Sequence, residues 1–404
     1  MKGLVFDLSV PKYALAKGVG GMFPKVHYGK GSCLSLRELP EPKVPGEGWQ
    51  RLKPVLTGLC GSDLSTIFFK ASPQLEPFNS FPAVLGHEIL ARDEQTGQRY
   101  AINPLLPCKL RGFEQLCAQC AAGRESGCER TAEGCLSPGL MIGFSKDLPG
   151  GIGTEVVAHS SQLHEVPEKI SDKAGVLIEP LAVSTHAVLN HPPHADERVL
   201  IIGGGPVAFA TLWAIRALGH KCHVTLLTVE NYQLELAKSL GADEVMRPSK
   251  DPMVEAQEVA RRVGGRVYSP IIGPPAMVGG FHRVFDCVGS AASLTSALRY
   301  TRAFGTIVLI GAAGVLKDLD WTSVWKNELT IAGSYVYGEE AHRGKKQHTF
   351  DVVIDLLAKG EGPDASQMVT HVFGLSEYEQ AIEANLQRGK YKSVKTAFDP
   401  SKES

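Results

Sequence analysis

The sequence predicts an α/β protein with a doubly wound parallel sheet in its second half and β-rich segments on either side. Three observations carry that prediction. A short apolar run, Val199 to Ile202, meets Gly203-Gly204-Gly205 and continues through Pro206-Val207-Ala208 into an Ala- and Leu-rich stretch ending at Gly219. Strand-like and helix-like segments then alternate as far as residue 333. At 404 residues the chain is also too long for one compact core, so two domains are expected.

The glycine turn has a chemical reason. A pyrophosphate is best held by backbone N–H groups at a helix N-terminus, and the chain approaches it closely only where no Cβ intrudes. Gly203, Gly204 and Gly205, with Pro206 and Val207 opening the helix, fit the start of a dinucleotide-binding unit. Ala208 stands where the usual fingerprint has its third glycine, a change the motif allows.

Taken in order, residues 2–8 and 32–38 read as strands, and the turn-rich 40–48 connects them to the next strand at 51–57. The Lys-, Gly- and aromatic-rich stretch 11–30 reads as an extended loop insertion. Residues 149–157 and 162–166 return to β structure, and Ser171 caps a helix over 171–177 with Asp172 in its first turn. After the glycine turn come a strand at 223–227 and a helix at 233–239. Further strands at 283–287, 305–310 and 329–333, with a helix at 291–300, complete the parallel pattern. Between them 262–281, with Gly264-Gly265 and Gly273-Pro274-Pro275, reads as an irregular insertion. The last part predicts a helix at 349–359, a strand at 369–373 and a helix at 376–385.

Charge and composition exclude several classes of partner. The 42 basic residues nearly balance the 43 acidic ones, so neither nucleic acid nor an anionic membrane is the expected partner. No apolar run is long enough to span a bilayer, and the opening Met1-Lys2-Gly3-Leu4-Val5-Phe6-Asp7 meets charge too early for a secretory signal; a cytoplasmic location is expected. Four of the nine cysteines crowd between Cys108 and Cys128, which in a reducing compartment points to metal rather than disulfides.

Two groups offer metal-ligand chemistry. Cys60, His87 and Glu88 supply thiolate, imidazole and carboxylate, the side chains zinc prefers, and Glu179 adds a carboxylate ahead of the glycine turn. A buried cysteine and a hydrogen-bonded histidine are common in cores, so this set gains its weight from the dinucleotide turn that follows. Cys117 and Cys120, two residues apart, with Cys108 before and Cys128 after, suit a closed tetrahedral site of four thiolates; Cys135 lies within reach as a substitute for Cys108.

The segments Gly58-Leu59-Cys60-Gly61-Ser62-Asp63, Gly86-His87-Glu88, Ile178-Glu179-Pro180-Leu181-Ala182 and Gly203-Gly204-Gly205-Pro206-Val207 occur in the order seen in zinc-dependent medium-chain dehydrogenases. The resemblance covers nearly the whole chain and is nearest to the sorbitol, threonine and glucose dehydrogenase branch. It implies a GroES-like β-barrel catalytic domain over 1–180, with a structural zinc lobe at about 105–135. A Rossmann NAD(P)-binding domain over 181–335 is inserted in it, and 336–404 returns to the catalytic domain. It further implies catalytic and structural zinc, NAD or NADP, a small alcohol or carbonyl substrate, and a homodimer or homotetramer. Cys60 and His87 then bind the catalytic zinc with Glu88 or Glu179 as third ligand. Asp63 accepts from the far nitrogen of His87, and Ser62 passes the substrate proton onward. The first gap of the cysteine lobe is longer than in the family, with residues 109–116 inserted, and Ser65 stands where some members place a further histidine.

Coenzyme choice stays open at this stage. Thr228 occupies the place of the acid that holds both ribose hydroxyls in NAD users, which removes repulsion against a 2′-phosphate. No Arg or Lys follows before Gln233 to bind that phosphate, and Glu230 replaces the acid if the turn is one residue longer. Two other readings share the fold: a zinc-free quinone or enone reductase, against which Cys60, His87, Glu88 and Glu179 argue together, and a non-catalytic NAD(P)-binding protein.

Overall fold

The Gly203 turn ends the central strand, Arg198–Ile202, of a six-stranded sheet in the computed structural model, which describes residues 1–402. Across the sheet the order is Glu244–Met246, His223–Leu227, Arg198–Ile202, Phe281–Asp286, Thr301–Leu309 and Thr330–Gly333, and every pair is parallel. The chain thus winds outward one way and then the other from Arg198–Ile202, and the order reverses between that strand and Phe281–Asp286. Such a reversal leaves a crevice beyond the strand ends where ligands bind. Val199, Leu200 and Ile201 are fully buried, as expected of a central parallel strand covered on both faces. Helices Pro206–Ala217, Asn231–Ser239, Pro252–Val263 and Ala291–Tyr300 alternate with the strands. Leu200, Val284, Ile307, Ala256 and Leu298 meet in one apolar core.

This unit comprises Pro180–Val336 together with Lys359–Met368. The sequence reading assigned 336–404 whole to the other domain. Residues 359–368 pack here because the indole N–H of the fully buried Trp213 donates to the Pro363 carbonyl at 2.9 Å, and Ala365 and Met368 are buried. The insertion expected to be irregular is ordered. Its first residues end helix Pro252–Val263, capped by Asp251 and closed at the left-handed Gly264, and an antiparallel hairpin follows, Arg266–Tyr268 against Ala276–Val278. Three-residue strands are too short to show a period, and only Val267 and Met277 pack on the core.

The other unit comprises Met1–Glu179, Tyr337–Ala358 and Val369 onward. Its main sheet runs Val369–Phe373, Lys395–Phe398, Trp49–Gly58, Glu88–Arg92, Arg99–Ile102, Leu163–Glu165, and Val156–His159 pairs with the start of Trp49–Gly58. Only Val369–Phe373 and Lys395–Phe398 pair in parallel. A second sheet sets Lys2–Phe6 between Leu34–Glu38 and Ala83–Val84. Ser171 caps its helix as expected, accepting from Ala174 N at 3.3 Å.

The loop expected over 11–30 is instead a helix, Val10–Val19, followed by a short 3-10 turn at Pro24–His27. Val10 and Leu15 are exposed, so no apolar stripe marks it; rings distant in sequence hold it, Tyr13 edge-on to Phe69 and His27 over Phe68, both at 4.8 Å. A hairpin of Glu339–His342 with Lys345–His348 was also not foreseen, because Ala341 is its one apolar residue and no alternation marks it. Among the described residues no helix is long and apolar enough to cross a membrane.

Candidate active site and cysteine lobe

Three strand ends of the first unit converge on one point. Gly58, the last residue of Trp49–Gly58, lies opposite Glu88 on one side and Ala397 on the other. The chain leaving Gly58 places Cys60 at the N-cap of helix Gly61–Ile67. His87 directly precedes the strand that Glu88 opens, and Lys395 opens the third. Gly58 is required by this crowding: a Cβ there would stand 1.9 Å from a Glu88 carboxylate oxygen and 2.7 Å from Lys395 Cε.

The ligand atoms of Cys60, His87 and Glu88 all lie within 4.8 Å of one another. Two donors on one tetrahedral zinc stand roughly 3.5 Å apart, so this set can close on the ion with small side-chain movement. Asp63 is fully buried; its Oδ2 accepts from Cys60 N at 2.9 Å and its Oδ1 lies 3.5 Å from His87 Nδ1. That leaves His87 Nε2 facing the centre, with Ser62 Oγ at 3.3 Å from it. Burial opposes charge on His87, but Asp63 and Cys60 outweigh it and hold the imidazole well above its ordinary value. Burial pushes Glu179 up to about 7; the Glu88 charge adds to this, while His87, Lys395 and the Tyr337 hydroxyl oppose it. A buried site that gathers thiol, imidazole and carboxylates in this way favours a cation, which is the charge zinc would bring.

The fold brings Cys60, Ser62, Asp63, His87 and Glu88 together, and Glu179 is close enough for the charges of His87 and Glu88 to act on it. The sequence reading missed Lys395. This lysine, 1 % exposed, ion-pairs with the equally buried Glu88 and donates to the Leu59 carbonyl at 3.1 Å. A single lysine opening a C-terminal strand carries no motif, and only the register across Gly58 brings it here. Removing one partner of a buried pair costs about 3–5 kcal/mol. Lys395→Met is therefore expected to lower the stability of metal-free protein by about that much, and zinc-loaded protein by less, because the cation also neutralises Glu88. Urea unfolding with and without zinc measures both; equal losses in the two states would contradict a metal at Glu88.

The second group is made of four sulfurs. Cys108, Cys117, Cys120 and Cys128 bring their sulfurs within 4.8 Å of one another, and Cys108 Sγ lies 3.6 Å from Cys128 Sγ. A tetrahedron with zinc–sulfur bonds of about 2.3 Å has edges of about 3.8 Å. The longer gap does not keep Cys108 away. It folds as a 3-10 turn, Cys108–Arg111, reverses at the left-handed Gly112, and returns so that Cys117 N donates to Cys108 Sγ at 3.5 Å. Cys135 is exposed and stands outside the group. Burial alone would push the Cys117 thiol up, yet N–H groups of Glu129 and Cys120 hold it down to about 6, while burial raises Cys120 and Cys128.

In the second unit Gly203 adopts φ +134°, and Gly205 caps the helix that Pro206 and Val207 open. A side chain at Gly204 would meet Thr228 Oγ1 at 2.0 Å. Thr228 is buried, and its hydroxyl donates to Gln233 Oε1, whose amide in turn donates to the Gly204 carbonyl at 2.8 Å. Glu230 N also donates to Gln233 Oε1, at 3.1 Å. Thr228 thus braces the glycine turn, a role for which the sequence offered no signal.

Comparison with known proteins agrees with this geometry. Residues 206–361 match the family described as zinc-binding dehydrogenase, and residues 46–168 match the alcohol dehydrogenase GroES-like domain. An L-idonate 5-dehydrogenase of Vitis vinifera is 28 % identical over 360 residues, 86 % of this chain and 87 % of that protein. A sorbitol dehydrogenase of Arabidopsis thaliana is 25 % identical over 369 residues, 88 % and 89 % of the two. A solved structure described as a zinc-binding dehydrogenase from Sinorhizobium meliloti 1021, bound to NADP, superposes with a TM-score of 0.68 at 25 % identity, covering 91 % of this chain and 96 % of that one. With a GroES-like part, a Rossmann sheet and two family matches that together span more than half its length, the chain belongs to the zinc-dependent medium-chain dehydrogenase family.

Proposed function

We propose that the chain is an NAD(P)-dependent zinc dehydrogenase acting on a secondary hydroxyl of a polyol, a sugar or a sugar acid. The observation that carries this reading is the cluster of Cys60, His87 and Glu88, with Asp63 behind the histidine and Ser62 in front of it. The names of the similar proteins, L-idonate 5-dehydrogenase and sorbitol dehydrogenase, support the substrate class.

In this reading Cys60, His87 and Glu88 hold the ion, and Glu179 stands by it as a proton acceptor or an anchor for the substrate. When bound, zinc supplies a Lewis acid that lowers the pKa of a hydroxyl oxygen. Asp63 keeps the His87 proton on Nδ1, so that Nε2 presents its lone pair. Ser62 Oγ can accept the substrate's hydroxyl proton while donating its own outward. A bound nicotinamide coenzyme would supply the hydride acceptor, so that an alcohol would give its carbonyl, the reduced coenzyme and one proton. Gly204, Gly205 and Val207 would offer backbone N–H groups to the pyrophosphate, Gly203 N being already given to the Leu227 carbonyl at 2.9 Å. Cys108, Cys117, Cys120 and Cys128 hold a second, structural zinc, the lobe at about 105–135 belonging to a catalytic domain that 336–404 largely completes.

A homodimer or homotetramer belongs to the same proposal. The strand Thr330–Gly333 is the edge of its sheet, bonded on one side only, and a second copy can extend it. A cytoplasmic location is supported by nine free cysteines, five of them placed as ligands that require reduction.

The test is a screen of alcohols, polyols, sugars and sugar acids with NAD and NADP, following reduced nicotinamide. Oxidation of at least one polyol or sugar-acid substrate is expected; none across the panel with zinc-replete protein would contradict the reading. Coenzyme preference is expected to be shallow. A charged hydrogen bond to the ribose is worth about 1.5–3 kcal/mol, and with Thr228 turned to Gln233 that contact is missing, so kcat/KM for the two coenzymes should differ by less than that span. Thr228→Asp should shift the ratio toward NAD. Strong selectivity for NAD in the wild type would mean that another acid, such as Glu230, reaches the ribose.

A further inference from the structure

Arg111 lies in residues 109–116, the stretch that lengthens the gap between the first two cysteines of the lobe. Its guanidinium is 1 % exposed, and every hydrogen bond it makes goes to a backbone carbonyl. Nε donates to Leu106 at 2.9 Å, Nη1 to Glu133, Leu136 and Ser137 at 3.1, 3.2 and 3.3 Å, and Nη2 to Gly139 at 2.5 Å. A buried cation is costly unless its donors are satisfied, and a planar fork with five N–H groups is the one side chain that can hold several loop carbonyls at once. The backbone joins in, with Cys135 N donating to the Arg111 carbonyl at 3.0 Å.

The loop gripped in this way does not end in the lobe. Leu140 N donates to the Phe78 carbonyl, Ile142 N to that of Pro104, and Ser80 N to that of Phe144, at 3.1, 2.8 and 3.0 Å. Ser80 Oγ donates back to the Pro138 carbonyl at 2.6 Å. Gly143 lies against Gly86, the residue before His87: a Cβ on it would stand 3.0 Å from the Gly86 carbonyl oxygen. The Phe144 ring sits 5.5 Å from the His87 imidazole, tilted by 43°. One continuous segment therefore runs from the Arg111 fork to the ring face of His87, and a misplaced ligand of about 1 Å can cost on the order of 100-fold in rate.

We propose that Arg111 is a positioning residue: it fixes residues 133–144 so that Phe144 holds the plane of His87, and so ties the four-cysteine lobe to the Cys60–His87–Glu88 centre. The consequence for turnover rests on the dehydrogenase reading above; the consequence for loop order does not.

The experiment uses full-length, zinc-replete protein as wild type, Arg111→Met, Arg111→Lys and Phe144→Leu, with hydrogen exchange by mass spectrometry and steady-state kinetics. Arg111→Met is expected to speed exchange across 137–144 and around Ser80 at least tenfold, with the sheet over 198–227 unchanged. Its kcat is expected to fall at least tenfold with KM for the coenzyme within twofold. Arg111→Lys, with three donors, should recover part of both losses. Phe144→Leu should lower kcat while the cysteine lobe keeps its zinc through dialysis against a chelator. Faster exchange confined to 106–139, with 140–144 as in the wild type, would overturn the proposal, and so would unchanged kcat beside a loosened 140–144. If Arg111→Met does not fold, Arg111→Lys against wild type decides on the same readouts. If the wild type turns over nothing, the exchange arm still decides, and the failure then belongs to the dehydrogenase reading.

Discussion

His87→Ala is expected to abolish turnover while leaving coenzyme binding intact. A Lewis acid at a developing alkoxide supplies several kcal/mol, and each 1.4 kcal/mol or so of barrier is a factor of ten, so the loss in kcat should be on the order of 10³-fold or more. Cys60→Ala should behave alike, because both residues present ligand atoms to one point. The nucleotide turn, Gly203 to Val207, folds within a different unit from these ligands. Binding of NADH or NADPH, read by fluorescence, should therefore stay within a few-fold of wild type. Loss of coenzyme binding in a soluble, folded His87→Ala protein would sink the separation of roles.

Cys117→Ser is expected to act on stability first and on catalysis second. Cys117 is one of four sulfurs that lie within 4.8 Å of one another, and the lobe has few other apolar groups to hold it, Phe113 among them. Structural zinc sites in small peptides bind with about 10–16 kcal/mol of apparent free energy that is also folding free energy. Losing one thiolate should cost several kcal/mol of that and release the ion. Wild-type protein should carry two zinc ions per chain and Cys117→Ser one, with a clearly lower Tm. Two ions retained in the variant would mean that Cys135 has taken the fourth place; no change in Tm would mean that the lobe does not depend on metal.

What could be read in advance followed from locality. The parallel sheet was legible because strands such as Val199 to Ile202 are short apolar runs closed by glycine or polar residues and alternate with helical segments. The ligand residues were legible because Cys60, Ser62 and Asp63 share one turn of helix and His87 and Glu88 are adjacent. What lies in long-range register was not legible. Lys395 reaches Glu88 only because Gly58 pairs with both neighbouring strands. The role of Thr228 depends on Gln233, five residues on, turning back to the Gly204 carbonyl. The helix at Val10–Val19 shows neither a buried stripe nor a side-chain cap and is held by Phe68 and Phe69 instead. The hairpin Glu339–His342 with Lys345–His348 turns at Arg343-Gly344, both at positive φ, where arginine gives no turn signal. The packing of 359–368 within the second unit rests on partners far away in sequence, Trp213 for the Pro363 carbonyl and Ser239 for Gln367.

The Cys60–His87–Glu88 cluster as a catalytic zinc centre is the claim on which the rest depends, and one titration tests it. Protein stripped by a chelator and dialysed should oxidise no polyol with either coenzyme, although it still binds NAD(P)H. Adding zinc back, with Cys117→Ser protein used so that the cysteine lobe takes none, should restore turnover in proportion and reach its plateau at one ion per chain. Full activity in protein shown by elemental analysis to hold no metal would contradict the account, and the fold would then be running its chemistry without the ion.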